Sequence, residues 1–360
     1  MSSPEAQSDR RCEAAAVGQR KRSATPSSPP TRASSEQFPI VPLPYEKVRL
    51  DLDARDALLT LGDAVRDSGQ ERWCAPLYRG DTIDRDVFAT RVGRECEHRL
   101  IDAGLAAVVE GELQLAFLFG VMKSTIVATP LIGWGDDIVY GGPDSFFLVE
   151  AALRLAPRGD RAVDLGTGSG FVATMASTTH QLVIATELLP SVAVAAQITF
   201  AMNRLPDGHR VVTMLGDVGT ALRPESCDLV TANTPWVPAS TADEATDAFR
   251  VGGESGTELP SRFLRDAAAL LNDRGVAISL ACDVEIDGDR PLHAVCDELR
   301  AQGFLVTLLP TPWNVPKEKL LFFLCSRQPR ISDATHVAVV VSRRPAVAVA
   351  AEALGRRWAR

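Results

Sequence analysis

The 360-residue chain has no apolar run of 18 or more residues, so no stretch reads as a membrane span. It has no Cys-x-x-Cys pair. Its seven cysteines, Cys12, Cys74, Cys96, Cys227, Cys282, Cys296 and Cys325, are scattered and odd in number, which argues against a zinc site or a disulfide framework. They read as small apolar residues or idle thiols of a cytoplasmic protein. Histidine is sparse, and none of His98, His180, His209, His293 and His336 falls in a motif, so neither a histidine base nor a metal site is expected. Positive charge is not in excess either. The formal net charge of −8 argues against nucleic-acid binding through the overall field. The polar N-terminus lacks an apolar signal core, which argues against export. Lysine is scarce beside arginine, alanine, valine and leucine, a composition associated with high-GC bacterial genomes.

What is present is ample core material. Apolar residues make up 46% of a chain longer than one typical domain, so a catalytic domain with an accessory piece is expected. Residues 1–40 are rich in Ser, Pro, Arg and Ala and read as a disordered tail, with Arg20-Lys21-Arg22 solvated within it. Residues 41–135 read as an accessory α+β domain of winged-helix type or similar. One helix is expected from about Asp53 to Ser68, and a second through Phe88, Val92, Cys96 and Leu100. A hairpin follows, Leu105–Val109 and Leu113–Phe119 about Glu110-Gly111, then a strand near Ile126–Leu131. Glu95 and Glu97 alternate with Arg91, Arg94 and Arg99. No one-signed basic face results, so a substrate lid or structural support is favoured over a nucleic-acid grip.

The most informative stretch is Ala162–Ala173, Ala-Val-Asp-Leu-Gly-Thr-Gly-Ser-Gly-Phe-Val-Ala. It reads as a buried parallel strand, a tight glycine turn and a helix start. Amides at that helix start would face a ligand. The spacing is Gly-x-Gly-x-Gly rather than the Gly-x-Gly-x-x-Gly of dinucleotide sites, and Asp164 precedes the first glycine by two. This segment closely resembles the first motif of the class I S-adenosylmethionine-dependent methyltransferases. The resemblance implies that Asp164, Gly166, Thr167, Gly168 and Gly170 hold the methionine and ribose part of that cofactor.

Strands and helices then alternate to Ser342, which predicts an α/β, doubly wound, mostly parallel sheet. The methyltransferase resemblance implies seven strands, the last running antiparallel between its neighbours. Residues 136–345 form the expected catalytic domain, with 346–360 a C-terminal helix or tail. Residues 313–334 are an insertion whose apolar part, Leu320–Leu324, is expected on the sheet or over the pocket. Gly141-Gly142-Pro143-Asp144-Ser145 reads either as a plain helix cap or as a counterpart of the Pro-containing segment that covers the cofactor in some N-methyltransferases.

Ligands of doubly wound sheets sit beyond the strands' carboxyl ends, where the candidate residues fall. Glu187 ends the second strand and can accept ribose hydroxyls. Asp217 ends the third. By resemblance it accepts from the adenine amino group, while the amide of Val218 donates to the ring. The fourth strand ends in Asn233-Thr234-Pro235-Trp236, similar to the Asn-Pro-Pro-aromatic motif of methyltransferases acting on planar nitrogens. There the Asn oxygen and the next carbonyl accept N–H protons and aim the lone pair. Trp236 would stack on the substrate. Thr234 departs from that pattern and opens the acceptor to amine, guanidine or hydroxyl groups. Phe249–Gly256 resembles the glycine-rich loop of release-factor glutamine methyltransferases and reads as a mobile lid.

The expected function is methyl transfer from S-adenosyl-L-methionine to a nitrogen, or an oxygen, of a small molecule of specialised, antibiotic-type metabolism. The alternatives are glutamine methylation of a release factor or ribosomal protein, and a non-catalytic cofactor- or RNA-binding protein.

Overall fold

The computed structural model describes residues 47–68, 73–130, 142–156, 158–240, 250–313 and 315–359. The expected tail to residue 40, the basic run at 20–22, Leu131 of the strand expected near Ile126–Leu131, Gly141 of the expected Gly141–Ser145 turn and Phe249 lie outside the described residues.

The C-terminal part is built on one seven-stranded sheet. Its strands are β5 (Gly159–Leu165), β6 (His180–Glu187), β7 (Arg210–Leu215), β8 (Cys227–Asn233), β9 (Leu271–Ile286), β10 (Leu305–Pro310) and β11 (Ile331–Ser342). The order across the sheet is β10-β11-β9-β8-β5-β6-β7. All neighbours run parallel except β11, which is antiparallel to β9 and β10. This is the sheet expected from the strand–helix alternation and the methyltransferase resemblance. Central strands are buried on both faces, so β8 and the Val337–Ser342 part of β11 are buried along their length rather than at alternate positions.

Helices α5 (Pro143–Leu155), α6 (Phe171–Ala176), α7 (Pro190–Met202), α8 (Glu258–Leu270), α9 (Pro291–Ala301), α10 (Lys317–Cys325) and α11 (Pro345–Trp358) complete this part. Strand β11 begins at Ile331, inside the expected insertion, because Ile331–Thr335 pair with Asp283–Ile286 of an equally extended β9. The apolar stretch Leu320–Leu324 is α10. It buries Leu320 and Leu324 against Cys282, Val284, Ile331 and Ala334.

The N-terminal part has helices α1 (Leu52–Ser68), α2 (Ala75–Arg79), α3 (Arg85–Val92) and α4 (Arg94–Asp102) and strands β1 (Ala106–Val109), β2 (Glu112–Leu115), β3 (Phe117–Met122) and β4 (Thr125–Pro130). Two expectations change here. The second helix is broken into α3 and α4 at Gly93, whose φ of 90° no helix admits. The run Leu113–Phe119 is split at Ala116, whose amide donates to Leu105 O, so β1 pairs with β2 and β3 with β4. Ile83 bridges Leu113 and adds a one-residue third strand to the first hairpin.

The two parts share a core. Ile198 and Met202 of α7 belong to the apolar cluster of the N-terminal helices and hairpins. Asn203 acts as a surrogate strand partner for β4, accepting from Ile126 N at 3.0 Å and donating to Ile126 O at 2.7 Å. Thr199 accepts from Ala128 N at 2.9 Å. Gly62 of α1 lies so close to α7 that a Cβ there would sit 2.1 Å from the Met202 carbonyl oxygen.

Candidate active site

Four parallel strands end at one edge of the sheet and deliver Asp164, Glu187, Gly216-Asp217 and Asn233 to a cleft of about 500 Å³. Lining it are Asp164, Gly166, Thr167, Gly168, Glu187, Asp217, Val218, Asn233, Thr234, Pro235 and Trp236, eleven of the twelve residues singled out from sequence. Gly170 is the exception. It stands at φ 80° before α6, and a Cβ there would meet Phe200 Cε1 at 2.7 Å. Its place in the pattern answers to packing against α7.

The glycine turn is held by carboxylates. Asp164 is 2% exposed and accepts from Thr167 Oγ1 and Thr231 Oγ1, both at 2.7 Å. Burial pushes its carboxyl up to about 6, against the pull of those hydroxyls. Glu187 is also buried, and burial raises its pKa. Its Oε2 accepts from Gly168 N at 3.0 Å, and its Oε1 from Leu188 N and Leu189 N at 2.8 and 3.1 Å. Three of its roughly four acceptor sites are thus taken by the turn and by the start of α7, leaving capacity for a further donor at Oε2.

Asp217 lies nearer solvent and pairs with Arg262 of α8 at 2.8 Å. Beside it Val218 is buried with φ 52°. A β-branched residue in the left-handed region costs on the order of 1–3 kcal/mol, and such strain concentrates where backbone is shaped for a ligand. Leu188, 61% exposed although it lines the cleft, adds apolar surface at this end.

At the other end, Asn233 Nδ2 donates to Asp144 Oδ2 at 3.2 Å and to Ser145 Oγ at 3.1 Å. A carboxylate only accepts, so the NH₂ must face α5 and the Asn233 Oδ1 is turned away from it. No described group donates to that oxygen. The Gly-Pro-Asp-Ser segment therefore caps α5 and also lines the cleft, with Gly142 as the cap residue. Thr234 is buried, and its hydroxyl donates to Leu280 O at 2.6 Å. That hydroxyl ties the segment to β9, which restores part of the rigidity a proline would give.

The loop after Trp236 is clasped by the glycine-rich segment. Val237 N donates to Arg250 O and Gly252 N to Val237 O, both at 2.8 Å. A Cβ on Gly252 would lie 2.6 Å from Pro235 O and 2.9 Å from Trp236 Cα. Close backbone approach, rather than the freedom of a lid, is what this glycine provides. Sequence reasoning missed Asp144 and Ser145 as partners of Asn233. Of Trp313 and Phe323, which line the same end of the cleft, only Phe323 lies in the apolar stretch expected on the sheet or over the pocket. The apolar composition of 320–324 was the available signal for Phe323; nothing local marked Trp313.

No family model matches the chain. Among curated proteins, the release factor glutamine methyltransferase of Geobacter sulfurreducens is 28% identical over 142 residues, 37% of this chain and 49% of its own length. The chain thus spans about half the length of the curated relative it matches. Among solved structures, M. jannaschii TYW2 in complex with AdoMet is similar at a TM-score of 0.42 and 14% identity, over 64% of this chain and 89% of that one. Trm5b from Pyrococcus abyssi is similar at 0.42 and 16% identity, over 72% and 71%. The fold assignment rests on this chain's own strand order. No helix among the described residues is long and apolar enough to cross a membrane.

Proposed function

We propose that the chain is an S-adenosylmethionine-dependent methyltransferase acting on a nitrogen of a small molecule. The observation that carries the reading is the Asn233 amide, locked with its oxygen turned from α5 at the end of a cleft that two buried carboxylates and a glycine turn complete.

The residues fit the cofactor. Leu188, Val218 and Phe263 line the cleft together with Asp217, apolar surface and an acceptor of the kinds an adenine ring and its amino group require. Glu187 Oε2 has capacity for a ribose hydroxyl. Asp164 and the turn at Gly166–Gly168 suit the charged amino-acid end. When bound, the cofactor supplies an electrophilic methyl group on its sulfonium sulfur.

Asn233 Oδ1 and the carbonyl of Thr234 accept N–H bonds from the substrate, turn its lone pair out of conjugation and stabilise charge developing on nitrogen. With the cofactor held by Glu187, Asp217 and the glycine turn, a nitrogen oriented by Asn233 would take up its methyl group and release one proton to water. Orientation does most of the work, so no strong base is required. The N-terminal part serves as support. Two arginines of α4 face carboxylates, Arg94 those of Asp86 and Glu97 and Arg99 that of Glu95, which disfavours a phosphate-binding role.

The test is calorimetry with S-adenosylhomocysteine alongside tritium-methyl transfer to fractionated lysate small molecules and to purified release factor. Asn233→Ala should abolish most transfer and leave S-adenosylhomocysteine affinity within about threefold. Transfer to the release factor alone would move the reading to glutamine, and binding without transfer to either would make the protein a cofactor binder.

A further inference from the structure

The two ends of the cleft differ in chemistry. Carboxylates dominate near β5, β6 and β7. Toward β9 and β11 the walls are aromatic: Trp236 from the segment after β8, with Trp313 and Phe323 from the stretch between β10 and β11. The Trp236 and Trp313 rings meet edge to face, with centroids 5.4 Å apart and planes at 86°. His336 of β11 backs both rings, 5.5 Å from Trp236 and 4.6 Å from Trp313. The imidazole is 4% exposed, its Nδ1 lies 2.7 Å from Thr311 Oγ1, and its Nε2 has no hydrogen-bond partner. Burial drives its pKa down to about 4, so it serves as a neutral wedge that keeps the indoles perpendicular.

We propose that this corner is the acceptor site and that the acceptor is a flat aromatic molecule bearing an N–H amine. It would stack on one indole and meet the other along its edge. The proposal rests on the methyltransferase reading and narrows it. Aromatic rings prefer offset-stacked and edge-to-face contacts, and two perpendicular walls provide both to a single flat ligand. A glutamine side chain has only its small amide plane to offer and would fill such a corner poorly. Asn233, at the foot of this wall, supplies the acceptor for the amine's N–H. Trp313 and Phe323 are then specificity-determining residues contributed by the stretch between the last two strands.

The test uses the full chain saturated with S-adenosylhomocysteine and two probes, anthranilate and aminoquinoline, titrated by calorimetry, with a Gly-Gly-Gln peptide as comparator. At least one aromatic probe should bind more tightly than the peptide. Trp313→Ala should weaken that binding roughly 10–100-fold, and Phe323→Ala somewhat less, with S-adenosylhomocysteine affinity within about twofold of the parent. Trp313→Phe, which keeps a flat ring and guards against misfolding in the alanine variant, should recover most of the loss. Normal S-adenosylhomocysteine binding with neither probe bound, or with the peptide bound better, overturns the aromatic acceptor and leaves methyl transfer standing. Failure to bind S-adenosylhomocysteine overturns both.

Discussion

Replacing Asp144 with asparagine changes one atom of the acceptor and tests the polarity of the site. In the parent, Asn233 Nδ2 faces two acceptors, the Asp144 carboxylate at 3.2 Å and the Ser145 hydroxyl at 3.1 Å. The carboxylate cannot donate, so a flipped Asn233 would set two oxygens against each other. An asparagine at 144 can donate, and the flipped amide becomes allowed. Hydrogen bonds to charged groups contribute about 1.5–3 kcal/mol and neutral ones about 0.5–1.5 kcal/mol, so orientational preference should fall by roughly 1–2 kcal/mol. In the flipped state an NH₂ meets the substrate's own N–H groups, and the stabilisation of developing charge is lost. At most the two orientations become equally populated, so the expected result is a fall in kcat of about twofold. The KM for S-adenosylmethionine should change by less than about twofold. Steady-state tritium-methyl transfer to the preferred acceptor measures both. Ser145→Ala, which removes a partner without supplying a donor, should cost less. A D144N enzyme with unchanged kcat, or with its whole defect in cofactor affinity, would show that the amide's orientation does not govern transfer.

Three further outcomes follow from the geometry. The Asp164 carboxyl, raised from an ordinary value near 3.8 to about 6, stabilises the empty fold fully below pH 3.8 and loses that contribution as pH rises through 6. A cationic ligand group prefers its ionised form, so S-adenosylhomocysteine affinity should fall below pH 6 by at most about tenfold per pH unit, and Asp164→Asn should flatten that dependence in calorimetry. Gly62→Ala, normally favourable in a helix, should destabilise here by about 1–3 kcal/mol, because the new methyl meets the Met202 carbonyl. A raised melting temperature would contradict the close approach of α1 and α7. Asp217→Ala should weaken cofactor binding by about 1–3 kcal/mol. Arg262→Ala should change it by only a few tenths, because their ion pair is about half exposed at both ends; equal losses in calorimetry would mean that the arginine touches the ligand.

The fold and the carboxylate-lined end of the cleft were legible because both are written locally. Strand ends, the glycine turn and the acids after β5, β6 and β7 are short-range patterns whose spacing carries their geometry. The aromatic end of the cleft was less legible. Asp144 meets Asn233 from 89 residues away, and Trp313 meets His336 because β11 returns antiparallel beside β10, the strand that Trp313 follows. The fourfold apolar spacing through Phe88 and Leu100 continued past Gly93, yet the backbone broke there. The glycines after Arg250 read as freedom, whereas Gly252 answers to a neighbouring main chain that sequence does not display.

Helix α7 has two clients. The amides of Leu188 and Leu189 that lead into it grip Glu187 in the cleft, and its last turn, with Asn203 just beyond, carries Met202 into the N-terminal helices and β4. A truncation that starts the protein near α5 would strip the cover from Ile198 and Met202 and leave a greasy stripe on that same helix. Dead truncated protein would thus report a collapsed scaffold, and the contribution of the front of the chain has to be read from point variants in the intact polypeptide.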